Sequence, residues 1–486
     1  MEAPLHKSSS VQSIDPHNAE AMDVKTYGTV VAVAMTLNFM IGTGAFGLPY
    51  AFAVAGVGLT SMFLIVGWAS ALITMNYTIE SMARAEGVVT STKKTVNPDN
   101  HMTYRKFDFA TIGQVFAGKI GFTFVQTVLV LYCFGSLWSY ASIFASSLSS
   151  IFYTYVLDDS CDVYSPTAGS GCLDAYLGFM VLFAIMSINF VLMDLGDQAG
   201  IQKFLAVYRI VALMVMLTTL AVKLGIDGMD SVTARLQARQ NWSFNWHNFS
   251  AGFGPTLLAL NCQYNMPNAL QPLHQDKKQH ARAITFGSMT LAAFCYLMLG
   301  LLGSIAFDNV NPLASLMWSD YSGCGNGWDK CESGKATWFG SIIHILVLMG
   351  PVMNVTSSFP MVGITVGGNI YPSLPKSITA PLGPHKSQSL ARLIAIIPPL
   401  VLATAFKKID AIFTVAGVFG FALGLIIPAW FQVVGIKYFR RRYKSDKAEM
   451  TSFSIPIISS LEFSTVFLGL TFVITAIALL SLVGFF

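Results

Sequence analysis

Long apolar runs alternate with short polar segments along almost the whole chain. About 20 helical residues cross a hydrocarbon core of about 30 Å, and length, apolarity and breaker residues together predict about eleven such spans. A polar tail, residues 1–24, precedes the first span and has the composition of a disordered segment. The predicted spans are 27–53, 57–83, 122–153, 174–195, 203–225, 249–271, 283–307, 338–363, 389–406, 410–436 and 459–484.

The overall composition supports a membrane protein. Of 486 residues, 54% are hydrophobic and 11% are charged, whereas an ordinary soluble domain has about 25% charged residues. A soluble chain of this length could not bury so much apolar surface, so the lipid bilayer is the expected solvent for most of it. The net charge of +4 is small and its basic residues are scattered, which argues against a nucleic-acid partner.

The distribution of Lys and Arg predicts the orientation, because cytoplasmic loops retain basic residues. With the N-terminus inside, about 21 of the 29 basic residues fall on the inner side and about seven on the outer side. The N-terminus is therefore expected in the cytosol and the C-terminus outside or in a lumen. Two N-glycosylation acceptor sequences, at Asn241 and Asn248, lie in a loop that this orientation places outside.

Four of the seven cysteines form two close pairs in loops that the same orientation places outside. Disulfides form on the oxidising side of a membrane, so two disulfides are predicted, with four unrelated free thiols as the alternative. The pairs are Cys161 with Cys172 and Cys324 with Cys331. No acidic dileucine sorting signal is visible, which favours the plasma membrane over an endolysosomal or vacuolar membrane.

The first and sixth predicted spans are interrupted near their middles. The first contains Gly42, Gly44, Gly47 and Pro49, and the sixth contains the polar segment 261–272. Unsatisfied backbone groups in lipid cost several kcal/mol, so unwound backbone is tolerated only where it lines a cavity or a ligand site. Broken helices five spans apart are typical of two inverted five-helix repeats with a substrate site between them. The alternative is that these residues only allow close helix packing.

The glycine-rich segments resemble a known family. The segment from Ile41 to Phe52 reads IGTGAFGLPYAF, and weaker matches are Thr111–Gly118, Tyr296–Phe307 and Gly417–Pro428. These motifs resemble the amino acid/auxin permease family of the amino acid–polyamine–organocation superfamily, over nearly the whole chain from about residue 27. The resemblance implies an all-α polytopic protein with a LeuT-type 5+5 inverted repeat that transports amino acids.

Under this interpretation one transmembrane domain covers 25–486. The first repeat covers about 25–225, the second about 248–437, and an extra helix about 458–486. One departure concerns the sixth span, where many family members carry an aromatic-Gln-Cys-His sequence. Here Cys262 is followed by Gln263 and Tyr264.

The chemistry of a zwitterionic amino acid predicts how the two breaks would bind it. In a pocket of low dielectric its carboxylate needs donors and its ammonium needs acceptors, or several kcal/mol of hydration are lost. Backbone N–H groups at the start of the second half of span one suit the carboxylate, and carbonyls and side-chain amides in span six suit the ammonium. The predicted substrate-binding residues are Gly42, Thr43, Gly44, Asn261, Cys262, Gln263 and Asn265.

Two polar residues inside spans concern ion coupling. Asn38 stands one turn before the first break, beside carbonyls that could coordinate sodium, and the resemblance implies a hydroxyl from the eighth span as its partner, with Thr356 preferred. Arg209 either snorkels to the inner surface or makes a structural pairing inside the protein, or it acts as a fixed cation, as a basic residue does in some sodium-independent relatives. Sodium coupling is placed before proton coupling and uncoupled movement. If Arg209 reaches the cavity of Asn38, the order of sodium and proton reverses.

Other functional classes lack their sequence signals. The spans contain no nucleophile-base pair, no paired aspartates and no His-Glu-x-x-His site, so neither an enzyme nor a metal site is predicted. No nucleotide-binding loop is present, and no cofactor is expected beyond a coupling Na⁺ or H⁺. A receptor that keeps the transporter fold is the remaining alternative. Glu80 and Arg84, four residues apart, are interpreted as a solvated pair at the membrane interface. The sequence does not indicate an oligomeric state.

Overall fold

The described part of the chain folds mainly into helices. The computed structural model describes residues 26–482 apart from 43, 92–97, 99, 104, 106, 158, 160, 166–167, 194–198, 240, 333, 372–373, 407–415, 418 and 444–447. Within these residues the β-structure is one isolated bridge, so the all-α class is confirmed. The helices are α1 (Thr29–Met40), α2 (Gly44–Ala55), α3 (Val57–Thr90), α4 (Phe109–Phe152), α5 (Ser170–Leu192), α6 (Ala199–Ala238), α7 (Phe249–Leu260), α8 (Met266–Leu270), α9 (Ala281–Ala306), α10 (Trp338–Ile370), α11 (Lys376–Ala405), α12 (Ile427–Tyr443) and α13 (Leu461–Leu482).

The described residues contain fewer helices that are each long and apolar enough to span a membrane than the eleven spans that the sequence predicts. In the described part of the chain, 8 helices are long and apolar enough to cross a membrane, and α1 with α2 makes a ninth that is bent by 51°. The predicted sixth span is divided into α7 and the short α8, and the predicted eleventh contributes only the shorter apolar helix Leu461–Ile477. The count of about eleven and the 5+5 repeat stay predictions. The predicted tail, 1–24, lies outside the described residues.

Three long helices change direction at a glycine. Gly118 in α4, Gly228 in α6 and Gly383 in α11 have φ values of 64°, 76° and 73°. Residues other than glycine rarely adopt this region of backbone conformation. A β-carbon added at any of the three would meet no atom within 4 Å. The backbone conformation, and not crowding, therefore accounts for these glycines.

Close helix packing explains other glycines of the resemblance motifs. A β-carbon added to Gly300 would lie 2.6 Å from the ring of Phe52, and one added to Gly303 would lie 2.9 Å from Pro49. These positions of α9 therefore receive the large residues of α2 directly. The interpretation that Gly and Pro allow close helix packing thus holds for α2 and α9. It does not explain the two breaks.

Both predicted disulfides are present. Cys161 is bonded to Cys172 and Cys324 to Cys331, each with a Cα–Cα distance of 5.5 Å. The two loops belong to the same end of the molecule, because the Nδ2 of Asn311, in the segment after α9, donates to the carboxylate of Asp162 at 2.9 Å. A shared end agrees with the prediction that both loops face one oxidising compartment.

Glycosylation is expected at Asn241 and not at Asn248. Asn241 is exposed, whereas Asn248 is half-buried and its Nδ2 lies 3.5 Å from the carbonyl oxygen of Val54. In a eukaryotic host, we expect Asn241→Gln to abolish the mobility shift that a glycosidase produces, and Asn248→Gln to leave it unchanged. A tag after Phe486 that is accessible only from the cytosol would contradict the predicted orientation.

The interpretation of Glu80 and Arg84 as a solvated pair is wrong. Their side chains are 0% and 1% exposed, and Arg84 Nη2 donates to Glu80 at 2.6 Å. Glu80 also accepts from Nδ2 of Asn76 at 2.6 Å and Nε2 of Gln432 at 3.1 Å. Arg84 in turn donates to Gln432 at 2.6 Å and to the carbonyl of Glu449 at 2.8 Å. The pair therefore joins α3 to α12 in the interior.

A segment between α12 and α13 covers this pair. We call residues 448–460 the strap. Hydroxyl groups of Ser454 and Ser459 contact the Glu80 carboxylate, and the Nδ2 of Asn100 donates to the carbonyls of Ala448 and Met450 at 2.7 and 2.9 Å. The strap keeps water away from the Glu80–Arg84 pair. Their spacing of four residues carries no information about the strap, so the sequence alone predicts a solvated pair at the membrane interface where the structure has a buried one.

Candidate functional site

The first break separates α1 from α2. The N–H of Gly42 donates to the carbonyl of Met40 at 2.7 Å, and the hydroxyl of Tyr296 donates to the same carbonyl at 2.5 Å. Thr43, predicted to bind substrate, lies outside the described residues. The first N–H groups of a helix have no partner within it and form the positive end of its dipole. Donors at the start of α2 thus stand beside acceptors at the end of α1.

The second break begins where α7 ends. Asn261 and Cys262 are non-helical, and a short 3₁₀ turn, Gln263–Asn265, leads into α8. Gln263 holds this geometry, because its Oε1 accepts the N–H of Cys262 at 2.9 Å and its Nε2 donates to Oγ1 of Thr74 at 3.2 Å. The Gln263 side chain is therefore engaged in shaping the break. The N–H of Asn265 donates to the carbonyl of Cys262 at 3.0 Å.

Asn261 is buried, and its side chain has no hydrogen-bond partner among the described residues. A β-carbon added to Gly424 would lie 2.7 Å from Oδ1 of Asn261 and 3.1 Å from Oε1 of Gln263. Gly424 belongs to a π-helical turn, Ala422–Ile426, that precedes α12. A cavity of ≈ 10 Å³ lies here, enough for about one water molecule. This pocket is therefore closed to an amino acid in the observed conformation.

The two breaks lie against each other. A β-carbon added to Gly44 would lie 2.7 Å from the backbone nitrogen of Ala259, near the end of α7. Helix α2 therefore packs on α7 with almost no separation, and α1 likewise contacts α8. The fold thus brings Gly44, at the start of α2, against the last turn of α7, which leads into the second break, although the two segments are more than two hundred residues apart.

The chain leading into α1 is fastened to the chain leaving α8. The N–H of Tyr27 donates to the carbonyl of Pro272 at 3.0 Å, and the N–H of His274 donates to the carbonyl of Tyr27 at 3.0 Å. The hydroxyl of Tyr27 donates to the carbonyl of Ala269 at 2.6 Å. These three bonds form what we call the Tyr27 latch, which closes one end of the broken helices.

Arg209 points into the protein and does not snorkel. The side chain is buried, and its Nη1 donates to the backbone carbonyl of Asn38 at 2.6 Å. Its Nη2 donates to Oγ of Ser357 at 2.8 Å and lies 3.4 Å from the carbonyl of Asn354. The guanidinium therefore joins α6 to α1 and α10. It lies among the oxygen atoms near Asn38, where the sequence predicts that a coupling cation could bind.

Thr356 and Ser357 of the eighth predicted span make different contacts. The hydroxyl of Thr356 donates to the carbonyl of Val352, within its own helix, at 2.8 Å. Ser357 contacts the guanidinium instead. Because helical residues three or four apart share a face, the face of Asn354 contains Ser357 and not Thr356. The side-chain oxygen of Asn38 is buried without a hydrogen-bond partner in the described chain.

Comparison with known proteins decides the family. The profile of the family described as transmembrane amino acid transporter protein matches residues 25–475. The chain belongs to this family. The predicted resemblance to amino acid/auxin permeases is thereby confirmed, and the protein is a multi-pass membrane protein of a transporter family. No group of three or more His, Cys, Asp or Glu is placed to hold a metal ion in the part of the chain that the structure describes.

The names of individual relatives do not state a transported substrate. The "Transmembrane protein 104 homolog" of Caenorhabditis elegans is 22% identical over 389 residues, which cover 77% of this chain and 74% of that protein. "Transmembrane protein 104" of Homo sapiens is 19% identical over 464 residues, covering 83% and 86%. Neither name indicates what the protein carries, so the family alone supplies the class of function.

A solved structure shares the fold of this family member. The crystal structure of MhsT in complex with L-phenylalanine superimposes with a TM-score of 0.58 at 12% sequence identity, covering 94% of this chain and 99% of that one. MhsT has a LeuT-type fold, so the overall LeuT-like architecture is supported. At this identity the comparison concerns the fold alone.

Proposed function

We propose that the protein is a secondary transporter that carries amino acids by alternating access, with the substrate bound between the two breaks. The observation that carries this proposal is the contact between the broken helices, where the start of α2 packs on the end of α7. Membership of the transporter family supports the substrate class.

The dipoles of the half-helices support a definite orientation for the substrate. The α-carboxylate would face the N-terminus of α2 at Gly42, Thr43 and Gly44, where the positive dipole end favours an anion. The N–H of Gly42 would then exchange its bond to the Met40 carbonyl for one to the substrate. The ammonium would face the last carbonyls of α1 and α7, beside Asn261. In this arrangement Gln263 positions the backbone of Cys262, and Asn265 begins the helix beyond the site.

We further propose that transport does not depend on sodium. The Arg209 guanidinium already donates to the Asn38 carbonyl and to Ser357. A sodium ion about 4 Å from this charge would be repelled by about 4 kcal/mol at an effective dielectric constant of about 20, a weakening of roughly a thousandfold. Proton-coupled or uncoupled movement is then favoured over sodium coupling. This is the reversed order of preference that the sequence predicts for an Arg209 that reaches the cavity of Asn38.

Uptake into proteoliposomes tests both proposals. With a panel of labelled amino acids, we expect saturable uptake that is unchanged when external sodium is replaced by choline at fixed pH. Arg209→Ala should lose uptake, because it leaves buried acceptors unpaired, whereas Asn38→Ala should retain most of it, because Arg209 binds the Asn38 backbone and not its side chain.

Two outcomes would separate the alternatives. Saturable sodium dependence that Asn38→Ala weakens would place a cation beside Asn38 and reject the sodium-independent carrier. Specific binding of an amino acid without any uptake, in protein that is correctly folded, would favour a receptor that keeps the transporter fold.

A further inference from the structure

A second cavity, of ≈ 420 Å³, lies at the C-terminal end of α12. This volume falls within the range of about 300–1,000 Å³ that small-molecule sites commonly have. The cavity is remote in sequence from both breaks, and none of the residues of the proposed substrate site lines it. Its lining consists of Phe116, Val434, Lys437, Tyr438, Arg441 and Arg442.

The charged residues of this cavity are cationic. Lys437 and Arg441 are four residues apart and so share one face of α12, and both are exposed. The Nη1 of Arg442 donates to the hydroxyl of Tyr438 at 3.0 Å, and its guanidinium lies 5.9 Å from the centre of that ring. The tyrosine ring thus restrains Arg442 beside the cavity without neutralising its charge.

Within the part of the chain that the structure describes, these cations differ from their neighbour Arg440 in having no carboxylate partner. Arg440 donates to both carboxylate oxygens of Glu449, at 2.6 and 2.8 Å. Among the described residues, no ion pair involves Lys437, Arg441 or Arg442. Three positive charges therefore converge on one cavity, and an anion is the complementary ligand.

The apolar wall of the cavity places this anion at a membrane surface. Phe116, near the start of α4, packs edge-on against Tyr438 with ring centres 6.1 Å apart, and Val434 lies one turn deeper in α12. The cavity stands where the apolar span Phe419–Tyr443 ends, and a span that crosses the bilayer ends at the headgroup region. A ligand here has an anionic group among the cations and an apolar part along the span.

We propose that this cavity binds the headgroup of an anionic phospholipid. Lys and Arg bind phosphate oxygens by charge-assisted hydrogen bonds, and basic pockets between membrane helices are suited to such headgroups. The orientation predicted from Lys and Arg places this end of α12 in the cytosolic leaflet, which is the anionic one. The proposal does not rest on the transport function and stands or falls separately from it.

The test measures lipid binding to the purified full-length chain in detergent. Short-chain phosphatidylserine and phosphatidylcholine are titrated against the parent, the pair variant Lys437→Gln/Arg441→Gln, and the control pair Lys277→Gln/Lys386→Gln. All four side chains are exposed, so both variants are expected to fold, and elution volume and melting temperature check this. Phosphatidylserine should bind more tightly than phosphatidylcholine to the parent and to the control pair.

The expected loss in the pair variant is about 30-fold in affinity for phosphatidylserine, from about 1 kcal/mol for each cationic group at a membrane surface. Binding of phosphatidylcholine should not change. Equal affinity of the parent for both lipids would overturn the proposal, as would an equal loss in the control pair. Inorganic phosphate and glycerophosphoserine are titrated in parallel, and binding of either as tightly as the lipid would assign the cavity to a soluble anion instead.

Discussion

Amino acid uptake should be abolished by Gly44→Val. A β-carbon at this position would lie 2.7 Å from the backbone nitrogen of Ala259, closer than real β-carbons approach backbone atoms. The branched side chain of valine adds two further methyl groups at the start of α2, where the carboxylate is proposed to bind. The helix must therefore move away from α7, which separates the two halves of the site. Proteoliposome uptake per amount of folded protein measures the effect.

Gly178→Val is the matched control for this variant. Gly178 also lies in a membrane helix, α5, but a β-carbon added there would meet no atom within 4 Å. Both substitutions carry the same intrinsic helix preference, so their difference isolates the contact with α7. Normal uptake by Gly44→Val would mean that the substrate site lies elsewhere.

Stability should fall by about 3–5 kcal/mol in Arg84→Met, the cost typical of removing one partner from a buried ion pair. The substitution leaves the carboxylate of Glu80 fully buried without its cation, and it also removes the bonds to Gln432 and to the strap. The detergent-solubilised protein should melt at a clearly lower temperature, which tryptophan fluorescence during heating records.

Two further variants separate the buried charge from the loss of packing. Glu80→Gln/Arg84→Met removes both charges and should recover much of the lost stability, because no uncompensated ion remains. Lys277→Met breaks the pair with Asp276, whose side chains are 46% and 69% exposed, and should change stability by less than about 1 kcal/mol. If Arg84→Met and Lys277→Met melt alike, the pair is solvated after all.

The features that sequence predicts well depend on local chemistry. Gly42, Gly44 and the polar segment after Leu260 mark the two breaks, because lipid tolerates neither unwound backbone nor polar side chains without a reason. The cysteine pairs are close in sequence, so their bonding follows from loop position. The count of about eleven spans stays a prediction, since the second break divides the sixth predicted span into α7 and the short α8.

The contacts of the buried charges are not predictable in the same way. Arg209 and Glu80 each meet partners more than a hundred residues away, at Ser357 and at Gln432. Helical spacing within one span cannot reveal such partners. Spacing does contain a weaker signal, because Asn354 and Ser357 share a helix face, and both residues contact Arg209.

The Tyr27 latch has a consequence for how often the protein opens at that end. Opening breaks its three hydrogen bonds together, because all of them fasten one short stretch of chain. At about 1 kcal/mol net for each bond, the latch contributes about 3 kcal/mol to the closed state. By itself it would keep the open form below about 1% of the molecules at equilibrium. In the proposed transport cycle, an amino acid would bias the exchange only by favouring one of these two populations over the other, and the unliganded protein would rarely expose its interior at that end.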